Sequence, residues 1–96
     1  MTQFFDFTNK VVVITGAGGV ICGELAKNFG KQGAKVALLD LNEEAAQKFA
    51  DEIIAEGGIA KAYKTNVLEK ESLEAVREAV NNDLGTVDVL VNGAGG

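Results

Sequence analysis

The chain has 96 residues, room for one domain at most. Apolar residues make up 47% and charged residues 24%, a globular composition and not a disordered one. The net charge of −5 argues against nucleic acid or an anionic membrane surface as the main partner; the single cysteine excludes an internal disulfide, and the lack of histidine excludes a His-based triad and argues against a metal site.

In chain order, Met1 to Asn9 reads as a lead-in whose Phe4, Phe5 and Phe7 pack against the sheet edge or a partner. Val11 to Ile14 are four consecutive apolar β-branched residues, the pattern of a strand buried on both faces. Gly16, Gly18 and Gly19 follow, and Ile21 to Gln32 then carry helical spacing, with Ile21, Leu25 and Phe29 on one face and Cys22 and Ala26 on another. Gly33 is the better of two glycines for ending this helix. Val36 to Leu39 form a second apolar strand, closed by Asp40. Asn42 is a good N-cap for a second helix, with Glu43 and Glu44 favouring its dipole. The apolar face of that helix is Ala45 or Ala46, Phe49, Ala50, Ile53 and Ile54, and Gly57-Gly58 ends it.

Ile59 to Lys64 alternates as a half-solvated edge strand does. A third helix is expected from about Glu69 to Asn82, with Leu73, Val76 and Val80 inward and Glu74 outward beside Arg77 or Glu78. Gly85 breaks the chain, Val87 to Val91 is a fourth strand, and Asn92-Gly93-Ala94-Gly95-Gly96 is the loop at its end.

The alternation β-α-β-α-β-α-β with short links predicts a doubly wound α/β sheet of parallel strands. Right-handed crossovers put the first two helices on one face, and the last connection must pass to the other side of the first strand. The expected order is 3-2-1-4, with a crevice between strands 1 and 4. Thr15–Gly19 and Asn92–Gly95 both fall at that crevice.

Strand, glycine turn and helix together bring a diphosphate onto main-chain N–H groups at a helix N-terminus, Gly16 to Ile21 here, without a charged side chain. A tight turn that binds nothing has the same glycines, and the strict G-x-G-x-x-G pattern fails at Ile21. Asp40 adds specificity. It stands at the tip of the second strand, roughly 20 residues past the glycines, where an acid accepts from a ribose 2′-OH and repels a 2′-phosphate. No basic residue offsets it, since Leu41, Asn42 and Glu43 follow. The cofactor expected is therefore NAD. The competing reading has Asp40 starting a turn or capping the next helix. Asn66 either hydrogen-bonds an adenine amino group, with Val67 packed on the ring, or forms a turn. Asn92 orders the crevice loop or sits beside a ribose. Cys22 reads as a small hydrophobe between helix and sheet more readily than as a reactive thiol, and Tyr63 as a packing or surface residue.

These residues resemble the short-chain dehydrogenase/reductase family. Its Thr-Gly-x-x-x-Gly-x-Gly motif is met by Thr15, Gly16, Ala17, Gly18 and Gly19, while Val20 and Cys22 replace the two later glycines. Its Asn-Asn-Ala-Gly appears as Asn92, Gly93, Ala94 and Gly95, with the second Asn lost, and its Asp-Val at adenine appears as Asn66 and Val67. The resemblance implies a Rossmann-type fold with a cofactor site at Gly16, Gly18, Gly19, Val20, Ile21, Asp40, Leu41, Asn66, Val67, Asn92, Ala94 and Gly95. It also implies NAD(H)-dependent hydride transfer between a secondary alcohol and a ketone, a small-molecule substrate, and a homo-oligomer, a tetramer by family. The departures are similar to the D-mannonate oxidoreductase-like branch, which implies a sugar acid, D-mannonate or D-fructuronate.

The Ser and Tyr-x-x-x-Lys that carry the family's acid–base chemistry have no match here, because Tyr63 has Val67 four residues on. No catalytic residue and no metal ligand are assigned. The chain reads as the N-terminal part of a single Rossmann domain, 1–96, stopping before the catalytic half. A non-catalytic dinucleotide-binding module needs the same glycines and Asp40. A methyltransferase-like domain also meets a ribose with an acid at its second strand, but Thr15-Gly16 with Asn92-Gly93-Ala94-Gly95 argues against it. No apolar run approaches the roughly 18 residues of a membrane helix and no signal-peptide pattern is present, so a soluble cytoplasmic protein is expected.

Overall fold

In the computed structural model of the protein, residues 7–93 are described. Phe4, Phe5, Ala94 and Gly95, to which roles are given above, lie outside them. The elements run β1 (Val11–Thr15), α1 (Val20–Lys31), β2 (Lys35–Asp40), α2 (Glu43–Ala55), β3 (Ile59–Lys64), α3 (Lys70–Asp83) and β4 (Val89–Asn92). The four strands form one parallel sheet in the order β3-β2-β1-β4, as the alternation of elements predicts.

Side chains on a strand alternate between faces, and the two cores follow that period. Val12, Ile14, Val36, Leu38 and Ala62 point to one face, where they meet Ala26 of α1 and Ala46, Ala50 and Ile53 of α2. Val11, Val13, Ala37, Leu39 and Tyr63 point to the other, where Val76 and Val80 of α3 cover them. All of β1 is buried, and its first four residues, Val11 to Ile14, are apolar, as a strand covered on both faces requires. Phe7 closes one side of the first core by an edge-to-face contact with Phe29, ring centroids 5.1 Å apart.

Local chemistry sets the ends of the elements. Asn42 caps α2 by accepting from the Ala45 N–H at 3.2 Å, as its sequence position predicts. Helix α1 ends with Gln32 as its C-cap, and Gly33 follows at φ 92°.

The expected boundaries and faces need four corrections. Strand β4 begins at Val89, not Val87, because the Asp88 carboxylate accepts the Val11 N–H at 2.9 Å. Ile54 is 50% exposed, since Ala46, Ala50 and Ile53 already fill the stripe of α2 that faces the sheet. Leu73 is also exposed and overhangs a bare part of the second face instead of joining Val76 and Val80. Ile21 is 84% exposed and does not share the core environment of Leu25 and Phe29.

Candidate functional site

The register places the carboxyl ends of the strands at one level. Thr15 pairs with Leu39 on one side and with Asn92 on the other, and Asp40 pairs with Lys64. The turn after β1, the tip of β2, the β3–α3 loop and the end of β4 therefore share one rim. In an open α/β sheet, this rim at the point where strand order reverses is where ligands bind.

The glycine turn is fastened to β2. The Ala17 N–H donates to the Leu39 carbonyl at 3.0 Å, and the Gly18 N–H donates to Asp40 Oδ2 at 2.8 Å. Gly16 adopts φ 69°, a left-handed conformation that side chains disfavour, and its carbonyl accepts from the Gly19 N–H at 3.1 Å. A Cβ at position 18 would lie 2.9 Å from both Asp40 Oδ2 and the Ala45 Cβ, so only glycine fits there. Gly19 caps α1 without a side-chain hydrogen bond, and the first turn of α1 carries no acid. By contrast, α2 opens with Glu43 and Glu44, and α3 has Glu71 in its first turn. The α1 terminus thus presents first-turn amides that have no intrahelical acceptor, at the positive end of the helix dipole, and the helix's own first turn brings no carboxylate to it.

Asp40 lies beside this turn. Its Oδ1 also accepts the Asn42 N–H at 2.8 Å, so the turn-forming role weighed above is real. Each carboxylate oxygen has capacity for a second donor, so the same group remains an acceptor toward the rim. Asn66 is likewise a turn former: its Oδ1 accepts the Leu68 N–H at 3.0 Å, and its own N–H donates to Ser72 Oγ at 3.0 Å.

Thr15 links the two glycine-rich loops. Its buried hydroxyl donates to Asn92 Oδ1 at 3.0 Å and accepts the Gly93 N–H at 3.0 Å. The expected site residues Gly16, Gly18, Gly19, Val20, Ile21, Asp40, Leu41, Asn66, Val67 and Asn92 stand along this rim, carried on the strand ends, on the turns that follow them and, for Val20 and Ile21, on the first turn of α1. Sequence reasoning missed the bridging role of Thr15. It also missed Leu68, which follows β3 and is 91% exposed, an apolar side chain open to solvent like Val20, Ile21 and Leu41. The signal for Leu68 is an apolar residue directly after an expected strand-end pair.

Away from the rim, Tyr63 on the edge strand donates its hydroxyl to Asp83 Oδ2 at 2.9 Å, and Lys61 Nζ reaches the same oxygen at 2.9 Å. Burial, aided by the Asp83 carboxylate, pushes the Tyr63 phenol well above its ordinary range. Hydrogen bonds from Lys61 and then Tyr63 hold the Asp83 carboxyl below its ordinary range. Among the described residues no helix is long and apolar enough to cross a membrane, and no cluster of His, Cys, Asp and Glu could hold a metal ion.

The family model described as short chain dehydrogenase matches residues 10–96. The chain belongs to the short-chain dehydrogenase family. An uncharacterised oxidoreductase of Haemophilus influenzae is 59% identical over 91 residues, which is 95% of this chain and 32% of the relative. The solved structure of a candidate D-mannonate oxidoreductase from Haemophilus influenzae, with bound NAD, superposes with a TM-score of 0.92 at 57% identity, over 95% of this chain and 32% of that one. A metagenomic short-chain oxidoreductase in complex with NADP superposes with a TM-score of 0.82 at 30% identity, over 88% of this chain and 38% of that one. This short-chain dehydrogenase chain thus spans about a third of the length of the relatives it matches.

Proposed function

We propose that the chain forms the coenzyme crevice of an NAD(H)-dependent oxidoreductase acting on a secondary alcohol and its ketone. The observation that carries this is the Thr15 hydroxyl, which holds the loop after β4 against the glycine turn after β1 at the switch point of the sheet. The residues fit a dinucleotide. Gly19 leaves main chain open where a diphosphate would approach, the first turn of α1, which no side chain caps, supplies donors, and Asp40, which Gly18 allows to pack against the turn, supplies an acceptor for a ribose hydroxyl. The exposed Leu41 and Leu68 and the half-buried Val67 offer apolar surface for a planar base. NAD, when bound, accepts or supplies the hydride. The chain's own share is to bind, orient and exclude the wrong coenzyme.

Asp40 favours NAD, because a carboxylate there repels a 2′-phosphate. Relatives in this family have been solved with NAD and with NADP, so the preference rests on Asp40. For the substrate we propose a sugar acid of the D-mannonate/D-fructuronate type, supported by 57% identity to the candidate D-mannonate oxidoreductase.

Calorimetry of the full-length protein with each coenzyme tests the reading. NAD binds more tightly than NADP, and Asp40→Ala shifts the ratio toward NADP by at least about tenfold, the scale of a charge-assisted hydrogen bond of roughly 1.5–3 kcal/mol. No heat with either coenzyme would overturn the crevice assignment. An unchanged ratio would overturn the role of Asp40. NADH formation from D-mannonate, followed by absorbance, tests the substrate.

A further inference from the structure

The loop after β4 contains a glycine that its backbone does not require. Gly93 is absent from the positive-φ glycines, which are Gly16, Gly33, Gly57 and Gly85. Its reason is space. The Cys22 sulfur, on the first turn of α1, occupies the position that a Cβ at 93 would take. The same Cβ would also lie 2.8 Å from the Thr15 carbonyl oxygen. Cys22 is half-buried and packs against the first core, so it is held from behind and its sulfur faces the loop. Gly93 is the residue whose N–H meets Thr15, next to the Asn92 side chain that the same hydroxyl holds.

Positions 22 and 93 are two of the places where this sequence departs from the family pattern. They depart in opposite senses, with a side chain gained at Cys22 and one lost at Gly93. The structure puts the two changes in contact.

We propose that Cys22 and Gly93 are a matched pair of positioning residues that seats the loop after β4 on α1 and so sets the Asn92 amide at the crevice. The sulfur fills the volume under the loop, and the bare glycine lets the loop descend far enough for its N–H to reach Thr15. This proposal rests on the reading of the crevice as a coenzyme site. It assigns Cys22 no chemical reactivity; the thiol acts by its size.

A double-mutant cycle in the full-length protein tests it, with thermal unfolding and NAD affinity as readouts. Gly93→Ala alone lifts the loop, weakens NAD binding by about tenfold and lowers the melting temperature by several degrees, the scale of an overpacked site. Cys22→Ala removes the sulfur and leaves its Cβ 3.6 Å from a Cβ at 93, an ordinary contact. In that background Gly93→Ala costs at least about threefold less affinity. It still costs something, because the Thr15 carbonyl has not moved.

Gly93 packs on the wild-type thiol, so Gly93→Ala also speeds its alkylation by iodoacetamide. Equal losses from Gly93→Ala in the two backgrounds overturn the pairing. If Gly93→Ala alone does not fold, folded double variant supports the pairing. An unfolded double variant beside a folded Cys22→Ala overturns it. Should the wild type bind neither coenzyme, the crevice reading fails while the melting cycle still decides whether the pair is matched.

Discussion

Thr15 does two things with one hydroxyl, giving its hydrogen to Asn92 and taking one from Gly93. Thr15→Val keeps the shape and removes both bonds. Each is worth a net of roughly 0.5–1.5 kcal/mol, so NAD affinity falls by about five- to 150-fold, read by calorimetry. A loss below twofold would show that the loop is held by other contacts. Asp40 also does two things: it accepts from Gly18 and Asn42 as well as facing the rim. Asp40→Ala therefore loosens the glycine turn while it removes the charge, and absolute NAD affinity falls along with the ratio. The turn-forming side of Asp40, an acid at a strand tip, was legible in the sequence; of Thr15 only its place before the glycine turn was. The partner of Thr15 was not. Asn92 becomes its neighbour only through β1–β4 pairing, and no local pattern announces that register.

The elements were read almost to their ends because their signals are local. The β-branched run makes β1, Asn42 caps α2, and β3 occupies the range that its alternation suggests. The errors are tertiary. At Asp88 the side chain and not the main chain accepts the Val11 N–H, so β4 starts two residues later than expected, and Ile54 and Leu73 look inward by spacing but find no covering surface. Edge strand β3 is tied to α3 by the Tyr63–Asp83–Lys61 contact, and pH probes that tie. The raised Tyr63 phenol stabilises the fold fully below its unfolded value near 10, and that contribution is lost as pH rises toward the folded value. The depressed Asp83 carboxyl acts in the opposite range: its contribution is present above the unfolded carboxylate value and is lost as pH falls through the folded one. Tyr63→Phe should flatten the alkaline limb of a stability–pH curve measured by urea unfolding. An unaltered limb would assign the alkaline sensitivity elsewhere.

The whole molecule is lopsided. Helices α1 and α2 cover one face of the sheet, while α3 covers only part of the other. A groove of about 760 Å³ remains there, lined by Val13, Leu39, Val67, Leu73, Val76 and Leu90, with Leu90 65% exposed on β4. The bare second face was foreseeable from two strands apolar on both sides and a single helix to shield them. A polypeptide of these 96 residues alone should self-associate and bind an apolar dye, and Leu90→Lys should reduce both, by sizing chromatography and fluorescence. A monodisperse, dye-silent wild type would show that the groove closes on itself.

The crevice is also stitched from the two ends of the described chain. Thr15 meets Asn92 and Val11 meets Asp88 across 77 residues of sequence, whereas β2 joins β1 and β3 through short helical links. Contacts so distant along the chain close late and open early. Hydrogen exchange in the native state should find amides of Val89–Asn92 escaping through small local openings, and those of Val36–Leu39 only when the entire fold lets go. Anything that clasps both loops would then act as a buckle, slowing exchange at β4 far more than in the sheet's interior.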